Sequence, residues 1–326
     1  GVHNHQPVGN FDFVFEDALK KAYMPFLEIF EKFPSIKVCF HNSGCLIEWV
    51  LKNRPEMMEK LKELAKEEKV EIISGGFYEP IFPLIPDIDK LGQINMMNNF
   101  IKNYFGKTPS GAWLPERVWE PNLARIFNQA GIKHIVVDDT HFKSTGLKEE
   151  DLLGYFVTEE EGYKLNIFPN SGKMRYLVPF KMPEDTINYL RSIATEDGRN
   201  LVVLADDGEK FGVWPHTFEW VYDKKWLFNF FTELDKNKEW INITTFSEYL
   251  NSFKPLGRVY LPTASYDEMM EWAMPADAIN EYDEFLKHLK SSNMFDRYGR
   301  FVKGGFFRNF LTKYPESNNM QKKMIL

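Results

Sequence analysis

The sequence predicts an α/β fold in which a barrel of parallel strands is followed by an α-helical region. Short β-rich apolar runs alternate with amphipathic stretches through the first 250 residues, and most runs start roughly 25 to 40 residues apart. Strands that alternate with helices at this spacing form parallel βα units. Seven or eight such units with nearly continuous apolar strands favour a closed barrel over a sandwich.

The predicted strands are short runs rich in apolar and β-branched residues. They are Gly1 to His5, Ile36 to His41, Val70 to Ser74, Gly111 to Leu114, His134 to Asp138, Lys164 to Phe168, Asn200 to Ala205 and Ile241 to Thr245. An open doubly wound sheet is the alternative architecture. No candidate strand is followed by the glycine-rich phosphate turn of that fold, so the barrel is preferred.

The predicted helices lie between these strands, and several begin with proline, whose missing N–H is harmless in a first turn. They are Phe15 to Phe33, Pro55 to Lys69, Pro86 to Phe105, Pro121 to Gln129, Pro183 to Ile193 and His216 to Asn237. After about residue 256 only helical patterns occur, at Asp277 to Lys290 and Phe306 to Leu311. We therefore predict a catalytic barrel domain over residues 1–255 and the start of a helical domain over residues 256–326.

Composition and charge narrow the classes of molecule that this protein is expected to bind. The 326 residues carry 40 lysines and arginines against 47 acids, a net charge of −7, which gives no reason to expect nucleic acid or an anionic membrane. No apolar run approaches the roughly 18 residues of a membrane span. Cys39 and Cys45 are too few for a disulfide scaffold, so we expect a cytoplasmic protein. The chain starts without methionine and ends directly after a helical pattern, so we expect a truncated helical domain.

Four predicted strands end in polar, chemistry-bearing motifs, and the strand ends form the functional face of a parallel barrel. The motifs are His3-Asn4-His5-Gln6-Pro7, Ser74-Gly75-Gly76-Phe77-Tyr78-Glu79-Pro80, Trp113-Leu114-Pro115-Glu116-Arg117-Val118-Trp119-Glu120-Pro121 and Asp206-Asp207-Gly208-Glu209-Lys210-Phe211-Gly212-Val213-Trp214. Each motif alone has a structural explanation: a hydrogen-bonded histidine pair, a Glu116–Arg117 ion pair or an ordinary turn. Together, three acidic loops on one rim would repel one another unless the protein used them.

Two carboxylates flanked by tryptophans, with no cofactor required, favour glycoside chemistry. One carboxylate attacks the anomeric carbon while the other donates and later accepts a proton. Trp113 and Trp214 would stack on the apolar faces of sugar rings. The cation of Arg117 favours an ionised nucleophile at Glu116, and the crowd of acids at Asp206, Asp207 and Glu209 favours a proton donor at one of them. The alternation of side chains along a strand leaves the choice between Asp206 and Asp207 open.

These motifs resemble, in order, the first four signature regions of glycoside hydrolase family 57, in its α-amylase and 4-α-glucanotransferase branch. The resemblance implies a seven-stranded, distorted TIM-like (β/α) barrel followed by a helical region, retention of anomeric configuration, and action on α-1,4-glucans without a cofactor or metal. It also implies Glu116 as the nucleophile and Asp207 as the acid/base. The residues that it implies for the sugar subsite are His3, His5, Glu79, Trp113, Glu209 and Trp214.

The resemblance stops before the fifth signature region, which the chain lacks. Within it we favour a 4-α-glucanotransferase over an α-amylase, and a homodimer is compatible with the sequence. Two alternatives belong to other classes. A metal-dependent carbohydrate deacetylase would use His3 and His5 with Asp138, Asp139 and His141. In a non-catalytic glucan-binding fragment, the tryptophans would bind the glucan and the acids would only contact its hydroxyl groups. The retaining mechanism requires the carboxyl groups of Glu116 and Asp207 to converge to about 5 Å.

Overall fold

The computed structural model describes residues 1–326 and has an α/β fold. Nine strands form two hydrogen-bonded sheets, in the orders β3-β2-β1-β8 and β4-β5-β7-β6-β9. The strands are β1 Val2–Asn4, β2 Val38–Asn42, β3 Val70–Ile72, β4 Gly111–Ala112, β5 His134–Asp138, β6 Phe156–Glu160, β7 Tyr163–Asn170, β8 Asp206–Asp207 and β9 Gly257–Arg258. The predicted fold class is therefore confirmed as α/β.

The first sheet is parallel throughout and sets the row of side chains that matters most for the site. His3 of β1 lies in register with His41 of β2 on one side and with Asp207 of β8 on the other. Side chains at matched positions of neighbouring strands point to the same face of a sheet. The register alone therefore places two histidines and an aspartate next to one another.

The second sheet is mixed, because β6 and β7 form an antiparallel hairpin while the other pairs are parallel. Three isolated bridges lie outside the strands. Ser74 pairs with Ala112 and Asn170 with Val203, both parallel, and Trp119 pairs with Ala264 in the antiparallel sense.

Fifteen α-helices surround the sheets. They are α1 Asp12–Ala18, α2 Met24–Phe30, α3 Gly44–Asn53, α4 Glu56–Lys66, α5 Asp87–Phe105, α6 Leu123–Gln129, α7 Asp139–Lys143, α8 Gly172–Leu177, α9 Pro183–Ile193, α10 Trp226–Lys236, α11 Phe246–Ser252, α12 Asp267–Trp272, α13 Ala276–Ser291, α14 Phe295–Tyr298 and α15 Pro315–Met324. A π-helical turn, Leu19–Tyr23, joins α1 to α2. No helix combines the length and the apolar character needed to cross a membrane.

The largest buried cluster packs these helices against the first sheet and anchors one loop of the site. Phe26 of α2 meets Phe40, Phe211 and Phe231 edge to face. Burying one phenylalanine contributes about 1.5–3 kcal/mol, and such aromatic pairs add somewhat more. Because Phe211 ends the 3-10 turn Gly208–Phe211, this packing fixes the chain directly after β8.

Several predicted elements differ from the structure. Ile241 to Thr245 is not a strand, because Thr245 caps α11 through a capping box with Glu248 and draws the segment into a helix start. Asn200 to Ala205 contributes only the bridge at Val203 before β8. The aromatic run near the C-terminus forms the 3-10 helix Phe307–Lys313 and not an α-helix. The domain boundary at residues 255/256 stays a prediction, and β9 just beyond it pairs with β6.

Candidate active site

The predicted site residues gather at the carboxyl ends of the parallel strands. Glu79 and Glu116 follow β3 and β4, and Asp207 ends β8. Burial raises the pKa of Glu79, the hydrogen bond from His5 lowers it, and the charges of both Glu116 and Asp207 raise it further. Since the two charges act on the same carboxyl group, the three acidic loops lie near one another.

The backbone at two of these acidic loops adopts a conformation that L-residues rarely take. Glu79, Glu116 and Arg117 have φ of 50°, 51° and 52°, in the left-handed region. Such conformations cost on the order of 1–3 kcal/mol each and cluster at functional sites. The turn also separates neighbours, because Glu116 is exposed whereas Arg117 is buried.

Three histidines surround Glu79. His5 Nδ1 contacts Glu79 Oε2, and His3 Nε2 and His41 Nδ1 lie 3.3 and 3.5 Å from Glu79 Oε1. His3 Nδ1 and His41 Nδ1 share a hydrogen bond of 2.8 Å. Burial lowers the pKa of His3 and lowers that of His41 to about 3, so both imidazoles are neutral at pH 7. Although burial opposes it, the hydrogen bond with Glu79 raises the pKa of His5.

His41 was not among the predicted site residues. The signal for it was present, because the second strand ends in Phe40-His41-Asn42 and so also places a polar side chain at the functional rim. Gly75 makes room for it, since a Cβ on that glycine would lie 2.5 Å from His41 Nε2. Gly75 therefore allows close packing against this imidazole, whereas Gly76 packs against Pro80.

Asp206 and Asp207 differ sharply in their surroundings. Asp206 Oδ2 lies 2.5 Å from Lys210 Nζ and 3.3 Å from Arg175 Nε; Asp206 and Lys210 are buried, and Arg175 is partly exposed. The side chain of Asp207 has no hydrogen-bond or ion-pair partner. Burial, followed by the charge of Asp206, raises the pKa of Asp207 to about 6, and the charge of Glu116 adds to the increase. The unpaired surroundings of Asp207 are those expected of a proton donor, so the choice that strand geometry left open is taken up as a proposal below.

Glu209, like Glu79 and Asp207, has a raised pKa. It accepts a hydrogen bond of 2.9 Å from the His5 backbone N–H and another from the Tyr23 hydroxyl. Burial raises its pKa to about 7 in spite of these bonds, which lower it. Glu209 therefore links the loop after β8 to the histidine motif of β1.

The two predicted tryptophans lie in different environments. Trp113 is only 3% exposed, and its ring stacks on His3 at 4.4 Å and carries the Arg117 guanidinium at 3.9 Å. No face of this indole is open to a sugar in this structure. Trp214 is 39% exposed and pairs with the exposed Phe180 ring.

The ion pair considered as a structural role for Glu116 does not form. Arg117 turns inward, is 1% exposed, and donates a hydrogen bond of 2.9 Å from Nη2 to the Ala205 carbonyl. No lysine or arginine lies within 4.0 Å of the Glu116 carboxylate. The carboxylate is left unpaired at the cleft.

Sequence reasoning missed the charged groups that come from distant segments. Arg175 bridges Asp206 and Asp138, and its guanidinium lies 5.0 Å from the centre of the Tyr266 ring. The Arg117 guanidinium lies 5.9 Å from the centre of the same ring. No local pattern marked these residues, because their proximity arises only when α8 and the segment before α12 pack at the strand ends.

The ligand set of the deacetylase alternative is not assembled. Asp138 pairs with Arg175, Asp139 with Lys143 at 2.8 Å, and His141 Nε2 lies 3.0 Å from the Arg117 carbonyl. The residues whose ligand atoms approach one another are instead His3, His5 and Glu79, all within 4.8 Å.

Carboxyl groups with divergent surroundings and an exposed tryptophan, at the strand ends of an α/β fold, are features found in the class of carbohydrate-active enzymes. The family model for glycosyl hydrolase family 57 matches residues 1–262. The chain belongs to glycosyl hydrolase family 57.

Named relatives within the family include both amylases and transferases. Alpha-amylase 1 of Dictyoglomus thermophilum is 52% identical over 325 residues, covering 100% of this chain and 47% of the relative. The 4-alpha-glucanotransferase of Thermococcus litoralis is 48% identical over 326 residues, covering 100% and 49%. The crystal structure of the latter matches with a TM-score of 0.97 at 48% identity, covering 100% of this chain and 51% of that one. The chain spans about half the length of the relatives it matches.

Proposed function

We propose that this chain carries the catalytic centre of a retaining enzyme that acts on α-1,4-glucans, with Glu116 as nucleophile and Asp207 as acid/base. One observation supports this assignment above all. Asp207 is a half-buried carboxyl group without a hydrogen-bond or ion-pair partner. Desolvation and the charge of Asp206 raise its pKa to about 6, and the charge of Glu116 contributes to that increase. A proton donor close to a second, unpaired carboxylate is the arrangement that glycoside chemistry needs.

In the first half of the reaction, a Glu116 carboxylate oxygen forms a bond to the anomeric carbon while the glycosidic C–O bond breaks. The electron pair of that bond goes to the leaving oxygen, which takes the proton of Asp207. The product of this half is a glycosyl ester of Glu116 and a shortened glucan with a free hydroxyl group.

In the second half, the Asp207 carboxylate accepts the proton of an incoming hydroxyl group, whose oxygen attacks the anomeric carbon. The ester bond breaks and its electron pair returns to Glu116. A glucan 4-hydroxyl as acceptor gives transfer, and water gives hydrolysis. Two inversions at one carbon retain the configuration.

The remaining predicted residues bind and orient the sugar. His3, His5 and Glu79 offer hydrogen-bond donors and acceptors on one wall, and Glu209 lies beside them through its bond to the His5 backbone. Trp214 offers an exposed ring face for stacking. Trp113 acts indirectly, because its ring is enclosed by His3 and Arg117 and positions both.

We further infer that the two sheets belong to a single seven-stranded barrel. The bridge Ser74–Ala112 lies between the edges β3 and β4, and the bridge Asn170–Val203 lies between β7 and the segment entering β8. Asn170 also exchanges two hydrogen bonds of 2.8 Å with the backbone of Ala205. The ring order would be β1, β2, β3, β4, β5, β7 and β8, with β6 and β9 outside it. The domain division at residues 255/256 is proposed on the same basis.

A 4-α-glucanotransferase is the preferred activity, and an α-amylase is the alternative. The matched relatives carry both names, so they support the shared substrate class more strongly than the acceptor. Size analysis of the products from maltotriose separates the two. Longer oligosaccharides indicate transfer, whereas accumulating glucose and maltose indicate hydrolysis. A cytoplasmic location and a homodimer remain proposals from the sequence.

The decisive experiment traps the covalent intermediate. The chain is incubated with a fluorinated α-glucosyl donor, digested and analysed by mass spectrometry for a glycosyl adduct on the Glu116 peptide. Glu116→Gln should abolish the adduct and lower turnover by several orders of magnitude, because the amide cannot form the ester.

Glu120→Gln is the matched control. Glu120 lies in the same loop but forms a bidentate pair with Arg308, with two contacts of 2.5 Å, so its replacement should leave the adduct in place. Undiminished turnover in Glu116→Gln would exclude the mechanism. Saccharide binding without any adduct in the unmodified chain would favour the non-catalytic alternative.

A further inference from the structure

Three ligand atoms of the kinds that transition metals prefer converge beside the catalytic carboxylates. His3, His5 and Glu79 each place one such atom within 4.8 Å of the other two. Two imidazoles and one carboxylate, with a fourth position left for water, are the ligand set of many zinc sites.

One pair of ligand atoms in this cluster, His3 Nε2 and Glu79 Oε1, has the spacing that zinc requires. Zinc binds imidazole nitrogen and carboxylate oxygen at about 2.0–2.2 Å, so two ligands at a tetrahedral angle lie about 3.3 Å apart. His3 Nε2 and Glu79 Oε1 are separated by 3.3 Å. A metal seated between them would need no movement of these two buried side chains.

Two further features favour a ligand at this place. Glu79 Oε1 is buried and has no hydrogen-bond partner, which is a costly state for a carboxylate oxygen. The Glu79 backbone is also held in the left-handed region, at a φ of 50°. An oxygen without a partner on a strained, enclosed residue is typical of a site that binds something.

His41 supplies the outer support of a metal ligand. Its Nδ1 lies 2.8 Å from His3 Nδ1, and in the tautomer in which His3 donates this bond, the lone pair of His3 Nε2 faces Glu79. Metal-binding histidines ordinarily have such a partner on the second ring nitrogen, which fixes ring and tautomer. The His5 side chain, 41% exposed, completes the cluster and leaves it open to solvent.

We propose that His3, His5 and Glu79 form a binding site for a divalent transition metal ion, with Zn²⁺ the best match, that is occupied when no glucan is bound. The ion would be an inhibitor and not a cofactor. In the proposed function the same three side chains bind the sugar, so metal and glucan would exclude each other. This mutual exclusion rests on the proposed function, whereas metal binding itself does not.

The test is a calorimetric titration of the Glu116→Gln chain with ZnCl₂ after removal of metals by a chelator. We expect one saturable ion per chain. His5→Ala should weaken binding at least about 10-fold, since even loss of an outer partner usually costs that much. His5 is half-exposed, so this variant keeps the packing of the core. His288→Ala, on the exposed face of α13, is the control and should bind zinc unchanged.

Replacing Zn²⁺ by Co²⁺ gives a second readout. Cobalt in a tetrahedral site has intense visible absorption, and Glu79→Gln should remove it. The proposal is overturned if no saturable binding occurs, or if His5→Ala and Glu79→Gln bind both ions like the parent chain. The adduct on Glu116 is measured in metal-free buffer, so failure of the metal site and failure of the glycosidase mechanism give different results.

Discussion

Two groups of charged residues at the end of β8 differ in how their acids are balanced. In the ion-paired cluster, formed by Asp206, Asp138, Arg175 and Lys210, both aspartates have a cationic partner within 3.3 Å. In the carboxylate cluster, formed by Glu79, Glu116, Asp207 and Glu209, no acid has a lysine or arginine within 4.0 Å. Asp206 and Asp207, the adjacent residues of β8, therefore belong to different clusters.

The presence or absence of a cationic partner separates acids that contribute to the fold from acids that are able to exchange a proton. A buried carboxylate that pairs with a buried cation is held ionised and contributes to the fold. A buried carboxyl group without such a partner has a raised pKa and is able to exchange a proton near neutral pH. Charge neutralisation, and not position along the strand, therefore distinguishes Asp206 from Asp207.

Replacing Asp207 by asparagine tests the chemical side of the comparison and has the largest expected effect. Loss of the general acid should lower kcat/KM for maltooligosaccharides by about 10²–10⁴-fold. The free energy of unfolding should not decrease, because the variant removes a desolvated acid that has no partner. A combined loss of activity and stability would contradict the comparison.

Replacing Asp206 by asparagine tests the structural side. Lys210, whose side chain is 3% exposed, would lose its carboxylate partner, and removing one member of a buried pair costs about 3–5 kcal/mol. Urea unfolding should report this loss. The double variant Asp206→Asn with Lys210→Met should recover part of it, since no unpaired lysine remains. A loss below about 1 kcal/mol in the single variant would refute the structural role.

The pH dependence follows from the raised pKa values of Asp207 and Glu209. Asp207 must be protonated to act as an acid, so kcat/KM should fall as pH rises through about 6. The folded chain also binds more protons than the unfolded chain between about pH 4 and 7, because the pKa values of Asp207 and Glu209 rise from 3.8 and 4.5 to about 6 and 7.

This stabilising contribution is complete below about pH 4 and is lost as pH rises through 6 to 7. Each pKa unit corresponds to about 1.4 kcal/mol. Urea unfolding at several pH values should show the decline, and Asp207→Asn should flatten it. If the free energy of unfolding instead increased between about pH 4 and 7, and Asp207→Asn removed that increase, the pKa of Asp207 would be lowered and not raised by folding.

Replacing Tyr23 by phenylalanine has the smallest expected effect. The Tyr23 hydroxyl donates a hydrogen bond to Glu209, and this bond lowers the pKa of Glu209 against the effect of burial. Its loss should raise that pKa further and lower the free energy of unfolding by about 1 kcal/mol. Titration of Glu209 by NMR would check the shift; an unchanged or lowered pKa would exclude the proposed link.

Regular elements with strong local signals were predictable from the sequence. β5 and α9 have the predicted bounds, His134–Asp138 and Pro183–Ile193. The first is a β-branched run between polar residues, and the second begins with proline at its first turn. The strand predicted at Lys164 to Phe168 lies within β7. Its hairpin partner β6 and the helix α3 were missed, because their apolar residues do not stand out from the neighbouring pattern.

The site was predictable as a set of strand-end motifs but not as an arrangement of charges. The motifs located Glu116, Asp207 and the histidine pair, since each follows an apolar run. The partners of Asp206 were not predictable, because Arg175 reaches it only through the packing of α8. The adjacency of Glu116 and Arg117 suggested an ion pair that does not form. The turn at these residues leaves the Glu116 side chain exposed and directs the Arg117 side chain to the interior.

The left-handed backbone at Glu116 has a consequence for laboratory evolution of this protein. Glycine adopts a φ of 51° without steric cost, so Glu116→Gly should relax the loop while deleting the carboxylate proposed as the nucleophile. Under that proposal, a selection that rewards heat resistance alone would enrich inactive proteins at this position. Directed evolution of the scaffold needs a screen for turnover in every round.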